Sequence, residues 1–250
     1  MNFFSLFKRN LIYNLKKKIS IDNDNINVDS LDGLFYHYGS DKADVFKKTQ
    51  NEGHGYSKFY EQELEKFKNK KINILEIGSY AGASAAAFVK YLPESNIFCF
   101  DINISNFEYK SEKIHVFGLD INNQKKTIKI INKIADQYKI EEFDIIIDDG
   151  SHNLSDILIA LKLFFKYLKN KGLYIIEDFK HPNYYQYNKN INHILIDELL
   201  RNLERKNTFN SNLFTENEQL KLMNMIDKIE VFKGNLKDSD ISFITKNWIK

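Results

Sequence analysis

From residue 72 onward, short apolar runs alternate with stretches of helical periodicity, and no other feature of the 250-residue sequence restricts the fold so narrowly. The runs "INILEI", "NIFCFDI", "KIHVFGLDI", "FDIIIDD" and "GLYIIED" are apolar on both faces, the pattern of strands covered on each side. Between them, "GASAAAFVKYL", "NQKKTIKIINKIADQY" and "LSDILIALKLFFKYLK" read as helices. Near the end, "KIEVFKGN" and "DISFITKN" are two strands with a short connection, which predicts an antiparallel hairpin at the sheet edge. The expectation is α/β: a Rossmann-like, doubly wound, mostly parallel seven-stranded sheet with a C-terminal antiparallel hairpin.

A hydrophobic content of 43% suits a packed core, and a net charge of +2 gives no electrostatic case for nucleic acid as a partner. The single cysteine, Cys99, has no internal disulfide partner, which points to a reducing cytoplasm; within "IFCF" it reads as a buried small hydrophobe. No apolar run reaches the roughly 20 residues of a membrane span. In residues 1–19, Phe3, Phe7, Leu11, Leu15 and Ile19 recur four apart, with Lys8, Arg9, Lys16, Lys17 and Lys18 beside or opposite them. Two readings stand. The helix touches an anionic membrane surface, placing the protein at the inner membrane face, or it packs on its own domain or on a second subunit of a homo-oligomer. The polar "DNDNINVDS" follows as a linker. The expected organisation is thus residues 1–30 as helix and linker, then 31–250 as one domain, with 31–70 as an N-terminal cap over cofactor and acceptor.

Ligands of open α/β sheets sit outside the carboxyl ends of the strands. The first such end is "LEIGSYAGAS", where Gly78, Ser79 and Gly82 form a loop that opens a helix and lets backbone N–H groups approach a ligand. The spacing fits neither G-x-G-x-x-G nor a P-loop, and Glu76 would repel a pyrophosphate but suits an ammonium group. Asp101, at the end of the second strand, is placed to accept from both ribose hydroxyls, and Asp120, after the third, to face an adenine amino group. Together these describe S-adenosylmethionine.

With "EIGSYAG" at 76–82, the chain resembles the class I S-adenosylmethionine-dependent methyltransferases, whose first motif is E-x-G-x-x-x-G. The resemblance covers residues 72 to about 245. Relatives that methylate base amino groups carry Asn/Asp-Pro-Pro-Tyr/Phe after the fourth strand; this chain has "DDGSHN" there. "DDGSH" after strand four and "ED" after strand five are similar to the metal-dependent sugar O-methyltransferases of macrolide biosynthesis and their surface-polysaccharide relatives. "YGSDK" at 38–42 and "HGYSKFYEQEL" at 54–64 extend the likeness back to about residue 35. The resemblance implies Asp149, Glu177 and Asp178 as metal ligands and His152 as base. It also implies Tyr38, Lys42, His54 and Tyr56 as residues closing over cofactor or acceptor.

Elementary chemistry leads the same way. Strands four and five should be neighbours, so Asp149 and the Glu177–Asp178 pair would meet at one rim and raise one another's pKa unless a cation sits among them. An all-oxygen set favours Mg²⁺ or Mn²⁺. His152, three residues after Asp149, is close enough to take a proton. Asp148 either contacts the cofactor or caps the following helix; Ser151 reads as an N-terminal cap. The aromatic stretch around His181 reads either as an acceptor lid or as an ordinary loop, and His115 as structural. The expected activity is transfer of a methyl group to an oxygen of a sugar, sugar nucleotide or surface-glycan (capsule) substituent such as a phosphoramidate. The rivals are a catechol-type small-molecule O-methyltransferase and a non-catalytic cofactor-binding protein.

Overall fold

Seven strands make a mostly parallel sheet with helices packed on it, as the apolar alternation requires. The structure is a computed structural model that describes residues 3–180, 186–189 and 191–247. His181 lies outside the described residues, so neither reading of the stretch around it, acceptor lid or ordinary loop, is placed. The chain forms two compact units, Met1–Ile140 with Gly234–Lys237 and Glu141–Lys233 with Asp238–Lys250.

In the first unit, helices α1 (Phe3–Leu15), α2 (Leu31–Tyr38) and α3 (Ser57–Leu64) precede strand β1 (Ile72–Ile77). Helix α4 (Ala83–Tyr91), strands β2 (Ser95–Asp101) and β3 (Ile114–Gly118) and helix α5 (Gln124–Tyr138) follow. β1, β2 and β3 pair in parallel in that order. Ile97, Phe98, Cys99 and Phe100 of β2 are all fully buried, as a strand covered on both faces demands. Ala85, Ala86 and Ala87 are fully buried in α4, and their small side chains let that helix lie close to its neighbours. α5 differs: it buries Ile131 and Ile134 on one face and turns its lysines to water.

The amphipathic helix is present, but its apolar stripe does not face the fold. α1 rests on unit 1 through buried Leu6 and through Tyr13, whose ring meets Phe107 edge-on at 6.3 Å. The Arg9 guanidinium donates to the Ile102 carbonyl at 3.1 Å, and Lys16 Nζ to that of Asn106 at 3.1 Å. Phe7, Leu11 and Leu15 lie on the exposed side, as does Ile19 beyond the helix. The helix thus packs on its own domain, one of the two readings of the sequence, but through a second stripe, Leu6, Asn10 and Tyr13, and not through the four-residue repeat. Helices α2 and α3, absent from the sequence reading, did carry signals. Ser30 caps α2 by accepting from the Gly33 N–H, and Gly39 ends it in the left-handed region at φ 80°.

In the second unit, strand β4 (Phe143–Asp148), helix α6 (Leu154–Phe164) and strand β5 (Leu168–Glu177) are followed by helices α7 (Ile196–Glu204) and α8 (Glu216–Asn224). Strands β6 (Ile226–Lys233) and β7 (Asp240–Lys246) complete it. The strand order is β6-β7-β5-β4, with β4 and β5 parallel and β6 and β7 antiparallel, so the hairpin lies where the sequence predicted. α6 ends five residues before the apolar pattern does. A 3₁₀ turn at Phe165–Tyr167 intervenes, and β5 begins at Leu168 with Phe165 and Leu168 buried. α8 starts with a capping box: Thr215 accepts from the Glu218 N–H, and the Glu218 carboxylate accepts from the Thr215 N–H. Among the described residues, no helix is long and apolar enough to cross a membrane.

Candidate active site

The loop after β1 is shaped by three residues with positive φ: Gly78 at 88°, Tyr80 at 41° and Gly82 at 77°. The Gly78 N–H donates to the Phe100 carbonyl at 2.8 Å, and the Gly82 N–H to that of Ser79 at 2.7 Å. Asp101, at the end of β2, holds the loop from the other side. One of its oxygens accepts from the Tyr80 N–H at 2.8 Å, the other from the Asn103 N–H at 2.5 Å. A carboxylate has about four acceptor positions, so Asp101 keeps capacity for ribose hydroxyls. Gly82 is the N-cap of α4 and makes no side-chain capping bond, which leaves first-turn N–H groups to a ligand. Gly82 is also packed from behind: a Cβ there would meet the Phe107 ring at 2.6 and 2.7 Å, with the nearest ring carbon closer still.

The other expected cofactor residues have varied settings. Glu76, expected to meet an ammonium group, is fully enclosed; its carboxylate accepts from the Ser84 hydroxyl at 2.5 Å, with Cys99 Sγ 4.0 Å from its other oxygen. Burial, then the Glu76 charge, pushes the Cys99 thiol well up, so the small-hydrophobe reading of this cysteine holds. Ser79 is buried and its hydroxyl donates to the Glu76 carbonyl at 3.3 Å. Asp120 is half-buried and accepts from the Asn122 N–H at 3.1 Å. Tyr38, Lys42 and Tyr56 are all buried. The Tyr38 ring meets Tyr109 edge-on, and burial followed by nearby Asp24 pushes its hydroxyl up. His54 lies 4.0 Å from an Asp41 oxygen and against the Tyr56 ring. His115 is stacked between Phe98 and Tyr138, and burial lowers its pKa, as suits a structural histidine.

In the second unit, parallel pairing of β4 with β5 brings their carboxyl ends to one rim. Asp149, His152 and Asp178 each offer a ligand atom there, all within 4.8 Å of one another. His152 Nε2 is 3.9 Å from Asp149 Oδ1. Two backbone turns make this convergence: His152 has φ 54° and Asp178 φ 50°, each folding its residue off the regular strand or helix path. Glu177 ends β5, buried and paired in register with Ile241; it stays outside this three-residue set. The Asp149 and Asp178 carboxylates of this set supply the oxygen donors that a hard divalent ion takes, with the His152 imidazole beside them.

Asp148 supports a cation as well. Its Oδ2 is buried without a hydrogen-bond partner among the described residues. Burial, then the Asp149 charge, raises its pKa well above the usual carboxylate range. An ion beside Asp149 would offset that repulsion. Asp148 does not cap the helix, and neither does Ser151. The cap of α6 is Asn153, which accepts from the Ser155 N–H at 3.1 Å. Ser151 instead donates to Asp156 at 2.5 Å. The backbone decides this, because Asn153 alone sits one residue before the first helical position. A cleft of about 300 Å³ is lined by the apolar Phe179, Leu200, Ile229 and Val231 and by the charged Lys180, Asp197, Arg201 and Glu204.

Residues 75–179 match the family model described as a methyltransferase domain. The tetracenomycin 8-demethyl-8-alpha-L-rhamnosyl 2'-O-methyltransferase of Streptomyces olivaceus is 27% identical over 162 residues, which are 62% of this chain and 39% of the relative. The mycinamicin VI 2''-O-methyltransferase of Micromonospora griseorubida is 27% identical over 135 residues, 50% of this chain and 31% of the relative. The chain thus spans well under half the length of these curated relatives. Among solved structures, the MycE methyltransferase of mycinamycin biosynthesis, in complex with Mg, SAH and mycinamycin VI, superposes with a TM-score of 0.64. The sequences are 19% identical, and the match covers 88% of this chain and 55% of that one. On the matched segment, residues 75–179, the chain carries a methyltransferase domain, and it shares the fold of the MycE methyltransferase.

Proposed function

We propose that the protein is an O-methyltransferase that moves the methyl group of S-adenosylmethionine to an oxygen of a sugar, a sugar nucleotide or a surface-glycan substituent such as a phosphoramidate. The observation that carries this reading is the gathering of Asp149, His152 and Asp178 at the rim of β4 and β5. The names of the curated relatives, all of them sugar-directed O-methyltransferases, support the acceptor class.

In this reading the Gly78–Gly82 loop and the α4 N-terminus meet the cofactor's polar end, and Asp101 accepts from its ribose. Asp149 and Asp178 would hold a Mg²⁺ or Mn²⁺ ion, and Glu177, next to Asp178 in sequence, is the third carboxylate that the motif offers. Such an ion, when bound, lowers the pKa of an acceptor hydroxyl and orients it. His152 takes the acceptor's proton; Asp149, 3.9 Å away, stabilises the imidazolium that results. The acceptor oxygen forms its bond to the methyl carbon as the carbon–sulfur bond breaks onto sulfur, leaving a neutral thioether. Positioning of the two reactants contributes on the order of 7–11 kcal/mol. A reducing cytoplasm suits a chain whose single thiol is buried.

The test is label transfer from methyl-labelled S-adenosylmethionine into polar, sugar-containing extracts with Mg²⁺ or Mn²⁺, and again with EDTA. EDTA-sensitive label in a sugar fraction is the expected result. Label confined to phenolic acceptors would replace the sugar reading with the catechol-type one. Label indifferent to EDTA would remove the metal from the mechanism.

A further inference from the structure

The first helix presents to solvent an apolar face that its own fold leaves uncovered. Phe7 is 60% exposed, Leu11 49%, Ile12 42% and Leu15 79%, and Ile19, four residues on, is 55% exposed. Positions 7, 11 and 15 are one turn apart and share one side of the helix. Single exposed apolar residues are ordinary, whereas a contiguous stripe of this kind marks an interaction surface. The helix is not loose: Leu6, the Tyr13–Phe107 contact and the bonds from Arg9 and Lys16 to backbone carbonyls hold its other side against unit 1. The stripe is therefore held facing outward.

Charge selects the occupant. No acidic residue occurs before Asp22, while Lys8, Arg9, Lys16, Lys17 and Lys18 fall in the same stretch. Lys8 and Lys17 are exposed alongside the stripe, and Lys110, also exposed, sits on the short strand paired with Ile19–Ser20. Pairing this face with the same face of a second copy would set these cations against their equivalents. An anionic lipid surface complements them, with the apolar side chains entering the boundary between headgroups and acyl chains.

We propose that α1 docks the protein onto the surface of an anionic bilayer, with Phe7, Leu11, Ile12, Leu15 and Ile19 inserted and Lys8, Lys17 and Lys110 on the headgroups. The experiment is co-sedimentation of the full chain with phosphatidylcholine–phosphatidylglycerol vesicles and with vesicles of phosphatidylcholine alone, at low and high salt. Partition onto the anionic vesicles, weakened by salt, is expected. Leu11→Glu with Leu15→Glu removes it, and Lys8→Glu with Lys17→Glu weakens it about tenfold or more. These positions are exposed, so thermal melting and SAH binding should stay as in the parent chain. The proposal is overturned if anionic vesicles retain no protein, or if retention survives both double substitutions. It is equally overturned if the parent forms a dimer that Leu11→Glu with Leu15→Glu dissolves while vesicles bind nothing.

Discussion

Replacing Gly82 by alanine tests whether the cofactor loop is shaped by its backbone and by the ring behind it. Gly82 has φ 77° and ψ 17°. An L-residue in that region costs about 1–2 kcal/mol, partly offset by about 0.4–1 kcal/mol from a less flexible unfolded chain. The added methyl would lie 2.6 and 2.7 Å from two carbons of the fully buried Phe107 ring, and overpacking of that kind costs about 1–3 kcal/mol. Relaxation is blocked on both sides, since the Gly82 N–H donates to Ser79 and its carbonyl accepts from the Ala86 N–H at 3.0 Å. The expected total is about 1–4 kcal/mol of lost stability, with weaker SAH binding because the loop must move. A double-mutant cycle separates the two parts. In a Phe107→Leu background the ring carbons are gone, so Gly82→Ala should cost only the backbone part, about 1 kcal/mol. Urea unfolding of the four proteins, followed by circular dichroism, reads the coupling, and calorimetric titration with SAH reads the loop. A cost below about 0.5 kcal/mol in the parent, or the same cost in both backgrounds, would refute the reasoning.

Asp149→Asn and Asp178→Asn should each lower metal-stimulated methyl transfer by more than about 100-fold while SAH binding persists, measured by label transfer and by titration with Mn²⁺. Glu218 is held down to about 2, first by the hydrogen bond from Lys162 and then by the Thr215 N–H, against an ordinary value of 4.5. A depressed carboxyl stabilises the fold above its unfolded pKa and loses that contribution as pH falls through the folded one. The parent should therefore lose stability relative to Glu218→Gln between about pH 4.5 and 2, as acid titration followed by fluorescence would show. Cys99, buried with its thiol pushed up, should resist alkylation at mildly alkaline pH in the folded chain and react within minutes in urea, which mass spectrometry would detect. Asn153→Ala should destabilise the second unit by about 1 kcal/mol through loss of the α6 cap, read as a lower urea midpoint.

The strand–helix alternation from residue 72, the terminal hairpin and the glycine loop after β1 were legible in the sequence, because strand and helix periods are local and a doubly apolar strand has few places to go. The acids after β4 and β5 were legible as a pair of loops for the same reason: parallel neighbouring strands bring their carboxyl ends to one rim. What each of them faces was decided in three dimensions. Asp178 joins Asp149 and His152 because its φ is 50° and that of His152 is 54°, while Glu177, one residue earlier, keeps to its strand. Glu76 lies inside because Ser84 and Cys99, brought from the next helix and strand, enclose it. The first helix shows its best apolar stripe to solvent because Leu6 and Tyr13 find Phe107 and its surroundings about a hundred residues away. Periodicity announces that such a stripe exists; only contacts distant in sequence determine which stripe the fold takes in and which it leaves outside.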